Sequence, residues 1–169
     1  MKTSPMFPSA QYCKGCCMLL KEIIEKKLCC FAEGAASWQD SIRLSCKALE
    51  NAGIVSEKYA DEIIKCVAEN GPYIVLMPGI ALPHSVENSP NAFDTAIAFT
   101  KLSRPVAFDD KDGEKSASVF FTLAATNNEL HLKNMRKLFK MLTNEALCAD
   151  LQTVASEAEL LALDAKYSG

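Results

Sequence analysis

The 169-residue sequence has only two histidines, His84 and His131, and it lacks most of the local motifs that mark an enzyme. Gly71 and Gly79 stand apart, so there is no glycine-rich loop of the kind that cradles nucleotide phosphates. There is no G-x-S-x-G elbow for a nucleophilic serine, and the two histidines are too far apart to bind a metal from one helix. No apolar run is long enough to cross a bilayer, and the N-terminus lacks a basic region followed by a continuous apolar core. A soluble, cytoplasmic protein is expected. A formal net charge of -3 gives no broad basic field, which speaks against a nucleic-acid groove or an anionic membrane surface.

What the chain does have is apolar content, at 49% hydrophobic and 23% charged residues, enough to bury one substantial core. Residues 1–17 carry no sustained period and read as a mobile arm, leaving 18–169 as one domain. Eight cysteines are many for this length, and Cys13, Cys16, Cys17, Cys29 and Cys30 all lie before residue 31. In a reducing compartment they are not expected to form disulfides, and Cys46, Cys66 and Cys148 fall in helical patterns as small apolar residues. A zinc-stabilised interaction protein is the reading the N-terminal cluster invites, but Cys29-Cys30 lacks the spacer that a zinc knuckle needs. No metal or cofactor is expected.

Helical periods open and close the chain. A stripe begins at Met18 with Leu19 and Ile23, and Leu28-Cys29-Cys30-Phe31 suits a short strand. Ser37-Trp38-Gln39-Asp40 resembles a capping box, followed by Trp38, Ile42, Ser45 and Leu49 on one helical face. Ser56 suits the cap of a second helix bearing Tyr59, Ile63 and Cys66, which Asn70-Gly71-Pro72 stops. Strands are expected at 73–77, 94–100, around 105–108 and at 117–125, with a charged turn over 109–115. Asn127 and Asn128 can cap a helix that places His131, Met135, Leu138 and Leu142 along its inner face. Two shorter helices, about 144–154 and 157–165, end the chain. The apolar runs at 73–77 and 117–125 predict a sheet covered by helices on both faces, an α/β fold of the α+β sandwich kind.

Each histidine alone has an ordinary explanation as a hydrogen-bonded core residue. Their shared placement argues otherwise. Both follow apolar strands closely, and strand ends in covered sheets are where ligand-binding residues collect. A neutral imidazole is a nucleophile near neutral pH, and a second imidazole can donate a hydrogen bond to what the first acquires. The helix starting at Asn128 adds unpaired amides and the positive end of its dipole, and Ser85 offers a further hydroxyl. His84 and His131, supported by Ser85, Asn127 and Asn128, therefore suit a phosphoryl group.

The run from Glu69 to His84, Glu-Asn-Gly-Pro-Tyr-Ile-Val-Leu-Met-Pro-Gly-Ile-Ala-Leu-Pro-His, resembles the signature of enzyme IIA components of the bacterial sugar phosphotransferase system, in the mannitol/fructose superfamily and its ascorbate-type branch. Ser37-Trp38-Gln39-Asp40-Ser41-Ile42, Phe120-Phe121-Thr122-Leu123-Ala124-Ala125-Thr126 and His131-Leu132 also match, so the similarity spans roughly residues 18 to 165. The resemblance implies a mixed central sheet and a phosphocarrier in which His84 takes a phosphoryl group from the carrier protein HPr. His84 then passes it to a cysteine of enzyme IIB, which serves the membrane enzyme IIC and uptake of an ascorbate-like or related substrate. His131 matches the second active-site histidine, which supports the phosphoryl group without carrying it. A regulatory binding module phosphorylated on the same histidine is the alternative. Where the mannitol branch has an arginine, this chain reads Ala68-Glu69-Asn70, so the positive charge at the site must have another source. Ser85 replaces the alanine or glycine of the related branches, and the cysteine-rich arm has no counterpart.

Overall fold

Every residue of the strand Ser116–Ala124 (β5) after the first is buried, because it is hydrogen-bonded on both edges and covered on both faces. Around it the computed structural model, which describes residues 18–86 and 88–168, builds a five-stranded sheet. The other strands are Cys29–Ala32 (β1), Val75–Met77 (β2), Gly79–Ala81 (β3) and Ala96–Ala107 (β4), in the order β1-β4-β5-β3-β2. β4 and β5 are antiparallel, as are β2 and β3, while β1 runs parallel to β4 and β3 parallel to β5. The sheet is mixed, as expected.

Side chains alternate across a strand, so the register assigns them to two faces. Phe99 faces Phe121 across the β4–β5 ladder, and their rings meet edge-on at 5.2 Å. Phe120 lies on the other face, in an aromatic chain with Phe108 (6.3 Å) and Trp38 (5.9 Å from Phe108). Trp38 begins the helix Trp38–Asn51 (α2), whose inward residues Ile42, Ser45 and Leu49 are buried. The helix Lys58–Asn70 (α3) packs on α2. Helices Met18–Glu25 (α1) and Asn128–Leu142 (α4) cover the Phe99 face, and Glu145–Leu151 (α5) and Glu157–Ser168 (α6) continue that layer.

Local chemistry explains most boundaries. Ser37 Oγ accepts the Asp40 amide at 3.1 Å, as the capping box predicts. α3 departs from expectation: its cap position is Glu57, which makes no side-chain cap bond, and Ser56 Oγ reaches only the Lys58 amide at 3.3 Å while donating to Asn91. α3 ends where Gly71 takes a φ of 81°, a conformation that favours glycine. Cys46 and Cys148 are buried as expected, and Cys66 is half-buried. The mobile arm expected at 1–17, with Cys13, Cys16 and Cys17, lies outside the described residues.

Two strands differ from their expected form. The run 73–77 does not make one buried strand: only Val75–Met77 is extended, at the sheet edge with Leu76 exposed. The chain reverses at Pro78, and Gly79–Ala81 becomes the inner strand against β5. A hydrophobic run marks burial without saying which residues pair. The expected strands at 94–100 and 105–108 are one strand, β4, despite Pro105. Proline has no N–H to give, but β1 pairs only as far as Leu102 and the β4–β5 register shifts between Lys101 and Val106, so no donor is missed there.

Gly79 has a φ of 93°, and a Cβ there would run into the amide end of the Gln152 side chain. Gly79→Ala is expected to lower stability by about 1–2 kcal/mol in urea unfolding. Most of that loss should persist in Gly79→Ala with Gln152→Ala, because a flexible side chain can move and φ cannot. Full recovery in the double variant would place the strain in the contact instead.

Candidate functional site

His84 sits three residues past β3, where the chain still tracks β5. Leu82 N–H donates to Ile74 O at 2.8 Å, Leu123 N–H donates to Pro83 O at 2.9 Å, and His84 itself makes a parallel bridge with Leu123. The backbone beneath the imidazole therefore continues the sheet's hydrogen bonding past the end of β3. The same β5 strand runs out through Ala125 and Thr126 into the start of α4. Asn127 Oδ1 accepts the Leu130 amide at 3.0 Å and fixes that helix start, and His131 stands in its first turn. This brings the rings of His84 and His131 to 5.5 Å between centroids, tilted by 43°.

The imidazole of His84 is held on two more sides. Its Nδ1 lies 2.7 Å from Leu82 O. A carbonyl oxygen only accepts, so Nδ1 carries the proton and the Nε2 lone pair is left free. Tyr73 meets the ring edge-on at 5.4 Å, and its hydroxyl donates to His84 O at 3.4 Å. Burial and the neighbouring Cys66 push the Tyr73 phenol up to about 12, so it remains a neutral donor. Burial also lowers the pKa of His84; the Leu82 bond opposes this, and His131 adds to it. At neutral pH His84 is an uncharged imidazole with its tautomer fixed by Leu82 O.

The segment after His84 is pinned to α3. The Tyr59 hydroxyl donates to Leu123 O and accepts the Ser85 amide at 3.4 Å, linking the two strand ends from the α2/α3 side. Glu62, one turn further along α3, accepts hydrogen bonds from Ser85 Oγ (2.6 Å), Ser89 Oγ (2.5 Å) and the Asn91 amide. Asn91 in turn accepts from Ser56 Oγ at 2.7 Å. Burial alone would raise the Glu62 pKa, but these three donors outweigh it and hold the carboxyl below its ordinary value.

Of the residues expected at the site, His84 and His131 are brought together. Ser85 adjoins His84, but its hydroxyl proton goes to Glu62, so in this structure it is not offered to a phosphoryl group. Asn127 acts through its cap. Asn128 Oδ1 is buried without a partner among the described residues. Tyr59, Glu62, Tyr73 and Asn91 were not expected here: Tyr59 and Tyr73 read as core and strand residues, and nothing in the spacing of Glu62 signals three partners from one loop. Around the imidazoles Tyr73, Val86 and Leu132 are exposed, Val86 at 60%.

A family model described as Phosphoenolpyruvate-dependent sugar phosphotransferase system, EIIA 2, matches residues 22–165. The mannitol-specific cryptic phosphotransferase enzyme IIA component of Escherichia coli K12 is 30% identical over 126 residues, covering 75% of this chain and 84% of that protein. The ascorbate-specific PTS system EIIA component of Shigella boydii is 28% identical over 130 residues, covering 76% and 83%. Among solved structures, a putative PTS IIA domain from Streptococcus pyogenes M1 GAS superposes with a TM-score of 0.76 at 29% identity, over 88% of this chain and 95% of that one.

Glu62 supports folding as a carboxylate. Its pKa is lower in the folded chain than in the unfolded one, so the stability it contributes is complete above its ordinary value of 4.5 and is lost as pH falls through the lower folded value. Glu62→Gln should cost about 1 kcal/mol at neutral pH, the carboxylate being partly exposed. It should also flatten the acid limb of the stability curve measured by urea unfolding. An acid limb unchanged by Glu62→Gln would remove Glu62 from that role.

Proposed function

The chain belongs to the EIIA 2 family of the phosphoenolpyruvate-dependent sugar phosphotransferase system, and on that premise we propose that it is a phosphocarrier whose acceptor atom is His84 Nε2. The observation that carries this reading is the 2.7 Å contact between Nδ1 and Leu82 O, which leaves the other nitrogen as the nucleophile. A phosphohistidine on HPr is the donor. The Nε2 lone pair attacks phosphorus as the donor imidazole leaves, and a cysteine thiolate of enzyme IIB later takes the phosphoryl group from His84 in the same in-line way. Two nucleophiles exchanging a phosphoryl group need alignment and charge stabilisation above all.

His131 supplies part of that stabilisation. Its ring stands beside that of His84, and as an imidazole it can donate to a phosphoryl oxygen. The N-terminal turn of α4 contributes amides and the positive end of the helix dipole, which suits an anion. This arrangement takes the place of the arginine that the chain lacks at Ala68-Glu69-Asn70. Exposed Tyr73, Val86 and Leu132 give an apolar rim on which two different proteins can dock in turn. The family's sugar uptake extends to this chain as part of the proposal. Its relatives are named for mannitol and for ascorbate, and an ascorbate-like or related substrate is our preferred route.

Incubation with enzyme I, HPr and labelled phosphoenolpyruvate should phosphorylate the chain, and His84→Ala should abolish the label. Retention of the label in that variant would refute the assignment. His131→Ala should still be labelled but should pass the group to a cognate IIB roughly 100-fold more slowly, the usual scale for losing one preorganised donor to a developing anion. Because burial lowers the His84 pKa, acceptance should hold steady as pH falls to 6.5 and decline only below it.

A further inference from the structure

Lys101 lies in the middle of β4 between Thr100 and Leu102, and all three are buried, the lysine at 7% exposure. It pairs with Phe31 of β1 and Val119 of β5, so its side chain rises from the face that also carries Phe99. There the connection between α5 and α6 crosses the sheet, and Phe31, Glu33, Ser103, Val154 and Ala155 enclose with Lys101 an open cleft of about 230 Å³. Among the described residues one acceptor meets the ammonium, Leu102 O at 2.6 Å. An ammonium has three donors, and taking it out of water without matching acceptors is costly. Burial accordingly lowers the Lys101 pKa. A methionine would fill the same space without that cost. The sheet gains nothing from a lysine here.

We propose that this cleft binds a small oxyanion, a carboxylate or a phosphate, with Lys101 as its charged floor. The site is distinct from that of His84: Ile97, level with Leu123 and so with His84, is four residues along β4 from Lys101, about 13 Å of strand. Phosphoryl transfer at His84 makes no use of it. The cleft's volume is below the range of drug-sized pockets, which selects a compact ligand. Phe31 and Val154 form apolar walls, and Ser103 adds a hydroxyl donor at the rim. Glu33, exposed at the same rim, opposes every anion and the most highly charged ones most, which disfavours nucleotides and other extended polyanions. An oxyanion on Lys101 forms a charge-assisted hydrogen bond with an ammonium that has a single protein acceptor among the described residues.

Amide chemical shifts of the full chain, followed by NMR at neutral pH and constant ionic strength, test this with inorganic phosphate, acetate and the neutral control acetamide. Saturable shifts at Phe31, Ser103 and Ala155 with phosphate or acetate, and none with acetamide, are expected. The anion that saturates first identifies the class. Lys101→Met should abolish them and raise the melting temperature, since it removes a buried charge. Ala155→Trp, at an exposed position that leaves the core untouched, should narrow the mouth and weaken binding about tenfold or more while His84 phosphorylation is unchanged, and it carries the test if Lys101→Met does not fold. Shifts that never saturate, or that survive undiminished in either variant, overturn the proposal.

Discussion

The hydrogen bond from the Leu123 amide to Pro83 O fixes where the chain leaves the sheet, and the candidate site depends on that point. β3 proper ends at Ala81, yet this bond and the Leu82 amide to Ile74 O carry sheet geometry on to His84. The same strand, β5, delivers the start of α4 a few residues later, so one buried strand positions both imidazoles. Tyr59 completes the arrangement from the other side by bonding Leu123 O and the Ser85 amide with one hydroxyl. Misplacing Leu123 would move His84, His131 and Ser85 together.

Around this point His84 is an uncharged imidazole with an unused acceptor nitrogen. Burial disfavours the imidazolium at His84, and the nearby carboxylate of Glu62 is occupied by three donors from the loop that follows. A carboxylate with its lone pairs filled competes weakly for other donors near His84. Ser85 shows the exchange: a hydroxyl adjacent to the His84 imidazole donates to Glu62 and holds the loop.

Much of this was legible in the residues. The Ser37 capping box located α2, the Asn127-Asn128 cap and its inner stripe located α4, and the Gly-Ile-Ala-Leu-Pro-His string together with His131 singled out the pair of histidines that the fold brings to 5.5 Å. What was not legible came from pairing. The run 73–77 is uniformly apolar, and nothing local says that its edge position exposes Leu76 while Gly79–Ala81 takes the interior place. Pro105 suggested a break because local chemistry cannot report that β1 has already ended alongside it. Glu62 read as one more charge on a helix, since its partners arrive from residues 85, 89 and 91, a loop whose path depends on the whole sheet.

The lengths of the strands have a consequence of their own. The two longest, β4 with 12 residues and β5 with 9, are interior, while the sheet ends in β1 with 4 and β2 with 3. An edge that short offers an incoming chain only a few free amides and carbonyls, too little to template a sixth strand. Proteins that come and go at such a molecule must therefore recognise it through side chains and surface shape. Brief visits suit that mode of recognition, whereas a shared backbone ladder would be slow to part.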